Sequence, residues 1–258
     1  MRSGKGKLDY ANGDVYVGQW EYDKMNGKGT MSYKNGDKYE GSWYQGEKLE
    51  GQFTRPDGYC YNGTWDHDLP HGIGKETLPS DDYYEGGFLQ GKKNGKGKLK
   101  KKTIKYEGEF ENNVKQGFGK LTWKSGAYYE GQWVNNKKEG HGVMLYASKD
   151  KYEGEYSNNL RNGFGKVNFE NGEEYEGEFV NDFREGVGRM TYANGDVYYG
   201  MWKTGKREGK GKLVPSMMKD ADAQFIDNYI EECDWRDDQR SSSCTTIVHQ
   251  MPIPCSIM

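Results

Sequence analysis

The chain has 258 residues, a formal net charge of −3 and only 33% hydrophobic residues, which excludes a conventional packed core and any global attraction to nucleic acid. Yet 14% of residues are aromatic, with 21 Tyr, 7 Trp and 38 Gly against 6 Pro. That excludes an ordinary disordered chain and points to β-structure built of aromatic strands and glycine turns.

At the N-terminus, "MRSGKGKLDY" has no apolar stretch of the signal-peptide kind, and no later run approaches membrane-spanning length. A partial leading unit supplies Gly4, Gly6, Tyr10 and Gly13. From Tyr16 the pattern Tyr-x-Gly-x-aromatic recurs at Tyr39, Tyr61, Tyr84, Tyr106, Tyr129, Tyr152, Tyr175 and Tyr198, every 22 or 23 residues. A second signal, Gly-x-Gly, follows inside each unit, except that the second unit reads "LEG" at Leu49–Gly51. A period of this length marks a stacked-repeat architecture, since one hairpin cannot bury its apolar face alone.

Alternation fixes the faces of each hairpin. In "YEGEF", Tyr106, Gly108 and Phe110 share one face while Glu107 and Glu109 take the other. In "GKLTW", Gly119, Leu121 and Trp123 share a face. Asn-Gly at 12–13, 35–36, 171–172 and 194–195 marks tight turns. Glycine is costly in strands, so a ring from a neighbouring strand is expected to lie over the Tyr-x-Gly position. For Gly-x-Gly, ring packing and a turn with positive φ both stay open. The expected fold is all-β: an elongated, single-layer antiparallel β-sheet of stacked hairpins.

Three segments stand out along this array. In the third unit, "DHDLPH" gathers Asp66, His67, Asp68 and His71, but at a hairpin turn, where a solvated turn is expected and no metal site. The sequon at Asn62 reads as a chance match. In the fourth and fifth units, Lys92, Lys93, Lys96, Lys98, Lys100, Lys101, Lys102 and Lys105 follow one another with no acidic residue between them. Such a patch suits anionic lipid headgroups or an acidic protein segment, and equally a solvated hairpin edge. The rings of Tyr106, Phe110, Trp123, Tyr129, Trp133, Tyr146, Tyr152, Phe169, Tyr175, Tyr192, Tyr198 and Trp202 form an aromatic groove, a candidate face for a partner or a second copy. No phosphate-binding loop, nucleophile elbow or zinc-binding helix motif occurs, so no catalysis and no cofactor are expected.

Past Pro215 the composition turns acidic: residues 216–258 hold eight Asp or Glu and three Lys or Arg, leaving 34 basic and 32 acidic residues before them. Met218, Ala221, Phe225, Ile226, Tyr229, Ile230 and Cys233 recur at helical spacing. The spacing predicts an amphipathic helix over 216–234 that caps the array, then a flexible tail over 235–258. The tail ends in Cys255-Ser256-Ile257-Met258, which fits a C-a-a-X prenylation box, with Cys244 as a second lipid site. The four cysteines (Cys60, Cys233, Cys244, Cys255) contain no C-x-x-C pair and fit a reducing compartment better than a disulfide framework.

The unit "YEGEFENNVKQGFGKLTWKSGAY" resembles the MORN (membrane occupation and recognition nexus) repeat, and the resemblance covers about residues 4–215. It implies an array over 1–215 that acts as a scaffold, and several such arrays self-associate. The expected role is a non-enzymatic scaffold between membrane and cytoskeleton, held on the cytoplasmic face by its C-terminal lipid. Its partners would be proteins, cytoskeletal ones among them, together with anionic lipids and a second copy of the chain. The alternative is a structural subunit of a ciliary assembly of the radial-spoke kind; a third reading is an accessory module for a phosphoinositide-modifying enzyme.

Overall fold

The computed structural model describes residues 1–216 and 230–247. Strands fill them: β1 (Gly4–Asp9), β2 (Val15–Glu21), β3 (Lys24–Ser32), β4 (Lys38–Tyr44), β5 (Glu47–Thr54), β6 (Cys60–Asp66), β7 (Leu69–Thr77), β8 (Tyr83–Leu89), β9 (Lys92–Lys100), β10 (Ile104–Glu111) and β11 (Val114–Trp123). There follow β12 (Tyr128–Val134), β13 (Lys137–Leu145), β14 (Lys151–Ser157), β15 (Leu160–Asn168), β16 (Glu174–Val180), β17 (Phe183–Thr191), β18 (Val197–Lys203), β19 (Lys206–Val214), β20 (Ile230–Arg236) and β21 (Gln239–Ile247). They form an open antiparallel sheet of successive hairpins, the all-β class the repeat predicts. Contacts divide the chain into two compact units, residues 1–126 with 132–137 and residues 127–131 with 138–258.

Each hairpin is built on one device. The tyrosine of Tyr-x-Gly-x-aromatic lies flat over its own glycine and the glycine across the ladder, for example Tyr106 over Gly108 and Gly119. Its hydroxyl donates to the backbone carbonyl three residues on: Tyr106 to Glu109 at 3.1 Å, Tyr152 to Glu155 at 2.8 Å. A Cβ on either glycine would collide with that ring, so both positions must be glycine for packing reasons. The tyrosines at 16, 39, 61, 129, 152, 175 and 198 are fully buried in consequence. Each also meets two aromatic neighbours edge to face, as Tyr106 does with Phe110 at 5.1 Å and Trp133 at 5.6 Å.

The open question about Gly-x-Gly resolves by splitting the pair. The second glycine lies under the ring, while the first takes positive φ (Gly117 at 68°, Gly163 at 102°) where the register shifts at a bulge. The second unit shows why. It is one residue shorter, its register shift spans one residue fewer, and Leu49 replaces the first glycine without positive φ. Gly51, the ring-covered one, is kept.

The tight two-residue turns sit elsewhere than the Asn-Gly pairs suggest. Both central residues take positive φ at Asn112–Asn113, Asn135–Asn136, Asn158–Asn159 and Asn181–Asp182, as a type I′ turn requires. The Asn-Gly pairs form wider turns with positive φ at the glycine alone, such as Gly13 at 93°, whose N–H donates to the Tyr10 carbonyl at 2.9 Å.

The C-terminal expectations need correction. Of the helix expected over 216–234, residues 217–229 lie outside the described residues, and the described end, 230–234, is strand paired to β19. Residues 235–247 of the expected tether continue into the β20–β21 hairpin. Trp235 takes the second aromatic position of a further repeat: it meets Tyr198 edge to face at 5.3 Å and is buried. Cys233 and Cys244 face each other in register, at the places where upstream repeats carry the two ring-covered glycines, and are joined by a disulfide with Cα atoms 4.4 Å apart. Glu231 stands at the register position that a tyrosine takes upstream. The Cys244 sulfur is therefore bonded and not free for acylation, and the expectation of unpaired thiols fails at this pair. Cys255 lies outside the described residues.

Candidate binding surface

On the aromatic face a third element runs beside the rings. In the second repeat (Lys48) and from the fourth onward a long cation folds over the aromatic pair, where the first and third carry Met25 and Pro70. Lys93 is 5.2 Å from the Tyr84 centroid, Lys115 4.0 Å from Trp133 and Lys138 4.8 Å from Tyr156. The position becomes arginine further on, with Arg161 4.8 Å from Phe179, Arg184 4.1 Å from Trp202 and Arg207 4.0 Å from Trp235. The aliphatic stem covers the ring while the charged head reaches the rim, the ordinary behaviour of such side chains. Sequence reasoning missed this row, although a Lys or Arg two residues before the first glycine of Gly-x-Gly recurs at the repeat period.

What each cation meets at the rim differs along the chain. Lys48 pairs with Asp68 at 3.1 Å and Lys93 with Glu76 at 2.5 Å. Arg161 and Arg207 pair with Asp182 and Asp238 at 3.1 and 3.0 Å, and the same carboxylates accept from the arginine backbone N–H. Burial alone would raise the Asp238 carboxyl, but its bonds to Arg207 outweigh that and hold it below the usual range. At Lys115 and Lys138 the corresponding turn residue is Asn136 or Asn159, which accepts the backbone bond at 2.9 Å but carries no charge. Burial lowers both of these lysine pKa values. Lys138 feels both Asp182, which raises it, and Arg161, which lowers it, whereas the neighbouring charge at Lys115 is that of Lys101 alone, which lowers it further.

The eight lysines predicted as one patch are distributed over both faces. Lys93 turns to the aromatic side and pairs with Glu76, while Lys98 on the other face pairs with Glu107 at 3.2 Å. Lys96, Lys100 and Lys105 stand exposed, with Lys100 and Lys105 opposite each other in register. Lys92, Lys101 and Lys102 lie at the hairpin ends, also exposed. In the predicted groove, Tyr106, Phe110, Tyr129, Trp133, Tyr152, Tyr175, Tyr198 and Trp202 are buried. Trp123, Tyr146, Phe169 and Tyr192 are only half-covered and form its accessible part. At the "DHDLPH" turn, Asp68 is held by Lys48 and Asp66 by His67 at 2.9 Å, which raises the His67 pKa. Among the described residues no group of three metal-ligating side chains converges.

A lattice of interlocked tyrosines and glycines with one repeated cation defines a repeat protein. The MORN repeat profile matches residues 1–15, 16–38, 61–83, 84–103, 106–128, 129–151, 152–174, 175–197 and 198–214, so the chain belongs to the MORN repeat family. The gap at 39–60 is the shortened second unit. Comparison with curated protein sequences gives no match. Among solved structures, the chain is similar to the SAS-4 (dCPAP) TCP domain of Drosophila melanogaster in complex with a proline-rich motif of Ana2 (dSTIL). Identity there is 13%, over 77% of this chain and 90% of that one, with a TM-score of 0.36. The TCP10 domain of Danio rerio CPAP is also similar, at 13% identity over 76% and 94%, with a TM-score of 0.31. Virginiamycin B lyase from Staphylococcus aureus matches at 11% identity over 90% and 92%, with a TM-score of 0.15. At these TM-scores none of the three bears on function.

Proposed function

We propose that this chain is a non-enzymatic scaffold that offers its repeat faces to a protein partner and links a membrane to the cytoskeleton. The observation behind this reading is that one tyrosine–aromatic lattice recurs in each repeat from Tyr16 to Trp202, while the cation row and the half-covered rings remain at the surface. In this reading Cys255 carries a prenyl group. One such chain gives only marginal, reversible anchoring, so a second membrane signal is needed. With Cys244 bonded to Cys233, that signal falls to the exposed lysines Lys96, Lys100, Lys101, Lys102 and Lys105.

The test compares the chain with Cys255→Ser in cells, by fractionation followed by cross-linking and mass spectrometry. The unchanged chain is expected in the membrane fraction, cross-linked to a recurrent protein partner, and the variant in the soluble fraction with the same partner. Unchanged membrane association of the variant would remove the anchor. Absence of any reproducible cross-linked protein would remove the scaffold role.

A further inference from the structure

The row of ring-stacked cations contains one member whose charge is left open. Lys48, Lys93, Arg161 and Arg207 each close on a carboxylate. Arg184 donates to the Gly205 carbonyl at 2.7 Å, and Lys138 has Asp182 and Arg161, which pair with each other, as opposed charged neighbours. Among the described residues no carboxylate closes on Lys115, and its charged neighbour is a second ammonium, Lys101. A half-buried ammonium beside a like charge is unfavourable until an anion arrives.

The surroundings have the shape of a site. Lys101 and Lys115 line one groove of about 350 Å3 within the first unit, a size within the usual range of ligand pockets. Leu78, Leu99 and Ile104 supply apolar wall, and Phe110 with Tyr84 the floor. Two carboxylates also lie in the lining. Glu76 is engaged by Lys93 and by the Tyr59 hydroxyl at 3.3 Å, and Asp82 accepts from the Lys102 backbone N–H at 3.1 Å.

We infer that this groove, on the scaffold reading above, is a docking site for an acidic peptide segment of a protein partner. One Asp or Glu carboxylate of the segment sits between Lys101 and Lys115, and an adjoining apolar side chain packs on Leu99 and Ile104. The charge balance selects this occupant. With Glu76 neutralised by Lys93, the charges of Asp82, Lys101 and Lys115 leave a net single positive charge, which one carboxylate matches and a multiply charged phosphate headgroup exceeds. The apolar walls have no use for a free inorganic anion. A lysine, with a compact ammonium on a flexible stem, also accepts one carboxylate without the planar two-point geometry an arginine imposes.

The family of turns supplies a decisive variant. Asn136 occupies the place held by Asp182 and Asp238 beside Arg161 and Arg207, with the same positive φ (67° against 70° and 65°). Asn136→Asp therefore gives Lys115 the internal partner that the later repeats already have.

The experiment uses the full chain and an immobilised array of octapeptides made from Asp, Glu, Leu, Ile, Phe and Ser. The best binder is then measured in solution by fluorescence anisotropy. Expected are a clear preference for acidic–apolar peptides over their Asn/Gln counterparts, and an affinity loss of at least tenfold in Lys115→Gln and in Asn136→Asp. Asn136→Asp should melt no lower than the parent, so its loss of binding cannot come from misfolding. Lys210→Gln, in the compact unit of residues 127–131 and 138–258, should bind normally. Acidic peptides that bind no better than their amide counterparts would overturn the proposal, as would undiminished binding by Asn136→Asp. Lys115-dependent binding of phosphatidylserine vesicles or inorganic phosphate, with no peptide binding, would also overturn it. Either failure would leave the cross-linked partner and the Cys255 fractionation untouched, so the site and the scaffold reading stand or fall separately.

Discussion

The segment around Lys115 and Lys138 and the segment around Arg161 and Arg207 share the same tyrosine–glycine lattice but finish it differently at the rim. In the later segment, guanidinium and carboxylate close on each other and on the backbone; in the earlier one, an ammonium rests on a ring and an asparagine supplies only a backbone bond. The comparison separates two tasks that one repeat performs. The buried half is invariant because close packing allows no substitute, and the rim varies because solvent screens its charges. Stability belongs to the first and, on the scaffold reading proposed above, partner choice to the second.

The strongest way to break this comparison is to remove the shared half. Tyr106→Ala and Tyr152→Ala each delete a buried ring and its hydrogen bond, and each should cost about 3–5 kcal/mol. Denaturant unfolding followed by tryptophan fluorescence reads the loss. Losses that differ by more than about 2 kcal/mol would mean that the rim chemistry, and not the common lattice, sets stability.

That common half is also what the sequence makes legible. Tyr-x-Gly-x-aromatic can be read at Tyr106 because its constraint is local: a ring and two glycines a fixed distance apart leave a period. Gly-x-Gly was half-legible, since its first glycine answers to backbone twist and its second to a ring, and one letter serves both. The β20–β21 hairpin was hidden for a different reason. The residues between β19 and β20 break the 23-residue step, Glu231 and the two cysteines replace the tyrosine and both glycines, and apolar residues near Ile230 mimic a helical period. Only Trp235 and the Asp237–Asp238 turn still carried the signature. The cation row escaped because Lys115 and Arg161 look like ordinary solvated residues until the bulge turns them onto the rings.

Alkaline titration sharpens the comparison next. Burial raises the pKa of Tyr84, in the earlier segment, to about 12; it also raises that of Tyr198, in the later one, to about 12 despite the lowering effect of Arg207. A hydroxyl that ionises near 10 when unfolded and near 12 when folded favours the folded state fully below about pH 10. That contribution is lost as pH rises through about 12. A single steep loss of β-sheet circular dichroism in this window is expected for both segments. Tyrosinate absorbance appearing near pH 10 with the sheet intact would contradict the sealed packing.

The smallest effect isolates the rim itself. Asp182→Asn converts an arginine–aspartate rim into the asparagine kind while keeping the acceptor for the Arg161 backbone. Asp182 is 44% exposed, so screening limits the loss to about 0.5–1 kcal/mol. Thermal melting against the parent chain measures it, and a loss beyond about 2 kcal/mol would place this pair among the structural elements.

The two ends of the array are finished with different materials. At the first, β1 is held by its ladder to β2, by the contact of Gly6 with Trp20 and by the Arg2–Asp23 pair, with no covalent link. At the other, the contact that a tyrosine makes upstream is replaced by a covalent bond between Cys233 and Cys244. A thiol reductant acts on that bond and on nothing else among the described residues. In an electron-rich compartment the last hairpin is held by its ladder, by Trp235 on Tyr198 and by the Arg207–Asp238 pair. In an oxidising one it stays clasped. How firmly this end is fastened is thus a property of the surroundings as well as of the chain.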